Sequence, residues 1–195
     1  MNSLGQTYLE SVIKRLLTYK QLGDGTFAQL EEKDFYFIPD VNFIPDVNGK
    51  RPDAKEGSSN SIAVIIHHLH GNMLSRWTNF LTEDGEKQGR NRDTEFSPPP
   101  GGKEALVSLW EKGWNCLLDT LRSLKEEDLL KTITIRHEPL TAIDAINRQL
   151  AHYPYHVGQI VYIGKMIRGG AWQSLSIPPG ASQNYNRGMQ EKHGG

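Results

Sequence analysis

Four stretches of this chain, each 16 to 28 residues long, place apolar side chains every three or four positions. Segments rich in glycine, proline and charge separate them. A stretch with that period buries one stripe and needs other helices to cover it. Four of them, with little extended sequence between, predict an all-α fold, a four-helix bundle. The first runs from Thr7 to Leu22 with Leu9, Val12, Leu16 and Tyr19 inward, and Gly23-Asp-Gly25 reads as its stop. Thr26 to Glu32 then adds a short turn with Phe27 and Leu30 facing inward. The second starts at a cap made by Asn60 and Ser61 and extends to about Leu81, with Ile62, Ile66, Leu69, Met73 and Trp77 on its stripe. The third covers Lys103 to Leu124 around Leu106, Trp110, Trp114, Leu117 and Leu121. The fourth opens at Thr141, with Asp144 at capping-box spacing, runs to about Arg168 and ends at Gly169-Gly170.

The connections carry less information. A long loop, about 33 to 59, follows the first helix and permits a crossover as well as simple up-down order. Within it Phe37-Ile-Pro-Asp-Val-Asn42 is followed at once by an identical Phe43 to Asn48. A six-residue repeat is too short for a solenoid unit, so it reads as a local duplication that a loop tolerates. Thr82 to Gly102 reads as a polar loop without clear structure. Leu129 to His137 alternates in period two, which predicts a short strand or an extended connection without an evident partner. Gln183 to Gln190 has the makings of one or two helical turns, and the end of the chain, from about 187 to 195, reads as a flexible tail. The whole, residues 1–195, reads as one domain.

Charge and composition narrow the function. With 22 basic and 23 acidic residues the chain gives no electrostatic reason to expect nucleic acid. It lacks an apolar run of about 18 residues or more, and with it a membrane span. No basic start precedes an apolar block at the N-terminus. Together these lead us to expect a cytoplasmic protein. The lone Cys116 lies in the apolar pattern of the third helix and reads as core filling rather than as a nucleophile.

The histidines point to chemistry. His152 and His156 stand four apart on the fourth helix, so both rings lie on one face and can reach one metal ion. The same spacing also suits two solvent-facing rings. Pro154 between them removes the bond to the Leu150 carbonyl at a cost of about 3 kcal/mol, which is tolerated where something else holds the helix. A third ligand would come from His67, His68 or His70 on the second helix. His68 and Asn72 fall on one flank of the apolar stripe and His70 on the other, while His67 points nearly away. Periodicity does not choose between His68 and His70. His137 and His193 read as solvated.

Three passages together resemble the DinB-like (YfiT-like) four-helix metal-binding superfamily. They are His68-Leu-His-Gly-Asn72 with Ser75-Arg-Trp77, then Asp84-Gly-Glu-Lys87 with Arg90-Asn-Arg-Asp93, and His152-Tyr-Pro-Tyr-His156-Val-Gly-Gln159. The tail Leu175 to Ser182 is similar to one uncharacterised, DUF-type branch of it. The resemblance implies a divalent metal, zinc or nickel, on His68, His152 and His156, with His70 as rival or neighbour. The doubled Phe37 to Asn48 segment departs from the family pattern.

The resemblance further implies an S-transferase that uses a low-molecular-weight thiol such as bacillithiol against a small-molecule electrophile, so that no protein nucleophile is needed. Arg76, Arg90 and Arg92 would bind carboxylates of that thiol, with Asn72 and Gln159 as further contacts. The same arginines could instead pair with Asp84, Glu86, Asp93 or Glu95. A metal-dependent hydrolase is a second reading and would want Glu95 or Asp84 as general base. A third is a non-catalytic, stress-linked metal-binding module. Relatives are often homodimers.

Overall fold

The structure, a computed structural model, describes residues 2–39 and 60–194. The second copy of the tandem repeat and half of the first therefore lie outside the described residues. Among those described, the fold is an all-α bundle with one small hairpin. Helix α1 spans Leu4–Phe27, α2 Ile62–Trp77, α3 Lys103–Ser123, α4 Ala142–Arg168 and α5 Ser182–His193. Helix α2 packs on α3 and α1 on α4, with further contacts between α1 and α3 and between α2 and α4. Helix α5 buries no residue and stays outside the core.

The caps expected at Ser61 and Thr141 form, and Ser3 adds one that starts α1 at Leu4, ahead of the expected Thr7. Ser3, Ser61 and Thr141 each present a hydroxyl to a backbone N–H in the first turn of α1, α2 and α4. Two helix C-termini also differ from expectation. Helix α1 does not stop at Gly23-Asp-Gly25 but continues through both glycines to Phe27. The reason is tertiary. A β-carbon at Gly23 would collide with the Trp110 ring, and Trp110 Nε1 donates to Asp24 Oδ1 at 2.7 Å. The glycine permits close approach of α3 and is not a terminator here. Phe27 and Leu30 do face inward, and Phe27 meets both Phe35 and Trp110. Helix α2 ends at Trp77, short of Leu81, because the backbone turns extended at Thr78, and Asn79 follows with a positive φ of 50°.

At the centre of the core Trp77 Nε1 donates to the Tyr153 hydroxyl at 2.8 Å, and that hydroxyl donates to Asn72 Oδ1 at 3.0 Å. This chain of bonds ties α2 to α4 in the middle of the bundle. It lies beside Pro154, where α4 lacks one of its own backbone bonds.

The single strand expected before α4 has a partner after all. Strand β1, Thr132–Ile135, pairs antiparallel with β2, Glu138–Thr141, in the register Ile135 to Glu138. The connection is two residues, Arg136 and His137, with φ of 55° and 65°. Both central positions of such a tight turn need positive φ, which non-glycine residues adopt at a cost. Asp84 offsets that cost. Its carboxylate accepts from the backbone N–H groups of Arg136 and His137, each at 2.8 Å, and of Glu86 at 2.7 Å. Gly85 N donates to Thr134 O at 2.8 Å beside it. The segment after α2 is thus pinned to the hairpin, and it contains a 3-10 turn at Asp93–Phe96.

Burial works to raise the Asp84 pKa, but these backbone donors and the Thr134 hydroxyl outweigh it and hold the carboxyl well below the usual range. A carboxylate depressed on folding contributes stability that is complete above its unfolded pKa of about 4 and fades as pH falls towards the folded value. The stability gap between wild type and Asp84→Asn should therefore be widest at neutral pH and narrow below about pH 4. Denaturant titrations across that range measure it; a gap that widens in acid contradicts the assignment.

Candidate metal centre

One histidine of α2 and two of α4 converge. Ligand atoms of His68, His152 and His156 all lie within 4.8 Å of one another. His152 Nε2 stands 3.1 Å from His156 Nε2 and 3.5 Å from His68 Nε2. Four-residue spacing on α4 brings the first pair together, and the packing of α2 against α4 brings the third ring.

The outer nitrogens of two rings are held elsewhere. His68 Nδ1–H donates to Glu95 Oε2 at 2.9 Å, and His156 Nδ1–H donates to Gln159 Oε1 at 3.0 Å. A proton fixed at Nδ1 leaves the lone pair at Nε2, the atom that points to the cluster. Glu95 is held in turn by Arg90, whose Nε and Nη2 donate to its two oxygens at 2.7 and 2.8 Å. Arg90 reaches on to Glu86 at 3.5 Å, and Arg76 and Arg136 each meet the same Glu86 oxygen at 3.0 Å.

Electrostatics agree with this geometry. Burial, then the His156 and His68 rings, then Arg76 and Arg90 push the His152 pKa down to about 3. Burial chiefly, with His68, lowers that of His156 to about 4, against the opposing bond to Gln159. Both are neutral at pH 7, the form that ligates metal. Burial works to raise the Glu95 pKa, yet the bonds from Arg90 and His68 lower it to about 2. Its carboxylate is ionised and fully engaged.

The donor set fits a divalent metal. Metal–nitrogen bonds of about 2.0–2.1 Å in tetrahedral geometry set ligand nitrogens about 3.4 Å apart. The two observed spacings of 3.1 and 3.5 Å bracket that value.

The other histidines go elsewhere. His70 Nδ1–H donates to Leu109 O at 3.0 Å, on the α3 side, and burial lowers its pKa. His67 Nδ1–H donates to Ser97 O at 3.0 Å. His68, which periodicity left level with His70, is therefore the α2 histidine that joins the pair. His137 is exposed in the hairpin turn.

Of the residues expected to contact a ligand, Arg76, Arg90, Arg92 and Asn72 line a cavity of about 610 Å³ that opens onto the three histidines. Arg76 and Arg90 are largely buried and paired with Glu86 and Glu95, whereas Arg92 is exposed and lies over the Phe96 ring. Gln159 sits behind His156 rather than on that cavity wall. Cys116 is half-buried, with Thr78 Oγ1 at 3.7 Å from its sulfur. Sequence reasoning missed Glu95 as the partner of His68, and missed Arg136 and Arg148 on the cavity wall. Gln149, in line with His152 on the polar stripe of α4, does lie on that wall. The others carry no periodic signal.

Fold and site define a helical bundle with three convergent histidines between two of its helices. The chain belongs to the DUF1572 family, described as proteins of unknown function, whose family model matches residues 3–181. Neither the curated proteins nor the solved structures yielded a match.

Proposed function

We propose that this protein belongs to the DinB-like superfamily and holds a divalent metal, zinc or nickel, on His68, His152 and His156. On this reading it acts as an S-transferase joining a low-molecular-weight thiol such as bacillithiol to a small electrophile. The observation that carries the reading is the convergence of three Nε2 atoms while Glu95 and Gln159 occupy two of the outer nitrogens.

When bound, the metal supplies a Lewis-acid position that stabilises a thiol as its thiolate. The protein's own residues do the rest. Glu95 keeps the proton of His68 on Nδ1 and the ring aimed at the cluster. Arg90 keeps Glu95 in place. The cavity brings a small molecule to the histidines, with Val64, Ile65 and Phe96 as apolar wall and guanidinium groups for carboxylates. Cys116 lies outside this cavity, in keeping with a nucleophile that arrives with the substrate. The hydrolytic alternative loses support. Glu95 is committed to Arg90 and His68, and Asp84 to the hairpin turn.

Elemental analysis of protein purified without affinity tag or chelator tests the centre. About one metal per chain is expected in the wild type and in His70→Ala, and almost none in His68→Ala, His152→Ala or His156→Ala. Absence of metal after reconstitution, or loss in His70→Ala with retention in His68→Ala, contradicts it. Metal-dependent consumption of bacillithiol by an alkylating electrophile then separates a transferase from a protein that only binds metal.

A further inference from the structure

The cavity beside the histidines is large enough for a small molecule of metabolite size. Five guanidinium groups line it, from Arg76, Arg90, Arg92, Arg136 and Arg148, and no carboxylate does so among the described residues. The acids that meet these arginines are Glu86, Glu95 and Glu138. Glu86 is shared by three of the five. Arg148 has only a 3.4 Å contact with exposed Glu138, and Arg92 pairs with no acid among the described residues. Arg92, Arg136 and Arg148 are exposed and come from three separate places, the segment after α2, the hairpin turn and α4. Guanidinium groups brought from three elements to one hollow give it a positive potential that attracts an anion.

A second observation points the same way. Gln149 is only 4% exposed and lines this cavity, yet its Oε1 has no hydrogen-bond partner. Buried polar atoms in folded proteins are nearly always paired, so a partner from a ligand accounts for it.

We infer that this cavity binds a small dianion, a carboxylate or phosphate compound, held by Arg92, Arg136 and Arg148, with a ligand hydroxyl or N–H donating to Gln149 Oε1. This names the ligand class for the metal-centre reading and rests on that reading for the reactive end of the cavity. The arginine contacts themselves need no metal.

Calorimetric titration of the full chain, as purified and again after metal removal, decides the matter. The probes are succinate, inorganic phosphate and succinamide, which copies succinate without its charge. Succinate or phosphate should bind both forms, and succinamide neither. The tighter of the two anions distinguishes a carboxylate ligand from a phosphate one. The double variant Arg92→Gln/Arg148→Gln should bind the anion at least about tenfold more weakly, with the ligand-free melting temperature unchanged. Equal binding of succinamide, binding of neither anion, or unchanged affinity in the double variant overturns the inference. So does anion binding that requires metal and survives in that variant, since the anion would then sit on the metal. Anion binding by a wild type that takes up no metal leaves the inference standing and overturns the metal centre instead.

Discussion

Glu95→Ala is expected to weaken metal binding by about 10- to 100-fold and to cost roughly 3–5 kcal/mol of folding stability. Two separate causes act. The affinity falls because His68 loses the acceptor that fixes its tautomer and ring angle. The stability falls because the Arg90 side chain, only 5% exposed, is left without the carboxylate that accepts its Nε and Nη2 protons. Competition with a chromophoric chelator reads the first, and denaturant unfolding of metal-free protein reads the second. The double variant Arg90→Met/Glu95→Leu separates them. Apolar groups of similar volume can replace a buried ion pair at little or no cost, so stability should recover while affinity stays low. Recovery of both would mean that Glu95 serves the fold and not His68.

Tyr153→Phe should lower stability by roughly 2–4 kcal/mol, a large effect for the loss of one oxygen. The hydroxyl accepts from Trp77 and donates to Asn72, and all three side chains are buried. Its removal orphans a donor and an acceptor together. The metal should still bind, because the three histidines are untouched, but somewhat more weakly, since this bond chain sets α2 against α4. Unfolding midpoints with and without metal report both. A loss under about 0.5 kcal/mol would mean that water takes the hydroxyl's place.

Much of this was legible in the sequence, and what was not has a physical reason. Four helices and the caps at Ser61 and Thr141 follow from period and capping chemistry, which are local. The pairing of His152 with His156 is local too. Periodicity alone left His68 level with His70, because a wheel diagram gives two flanks and does not say which neighbour lies on each; the resemblance pointed to His68, and the packed helices bring that ring to the pair. Gly23 looked like a stop because its packing partner, Trp110, is 87 residues away. The β2 strand was hidden by its proline and by a turn that lacks glycine and depends on Asp84 for support. Arg76 and Arg90 read equally well as ligand contacts or ion-pair partners, and only the fold shows Glu86 and Glu95 against them.

The pinning of the Asp84 segment to the hairpin makes the centre a closed mechanical loop. One can walk from His68 along α2, through Asp84 to the Arg136 turn, along β2 into α4, to His152 and back to His68. Glu95 hangs from the same circuit. Inserted or deleted residues anywhere on it would shift a ligand or its support. The duplicated six residues fall between α1 and α2, off the circuit in the order of the chain. Length variation among relatives should therefore collect there and be rare between Trp77 and Phe96.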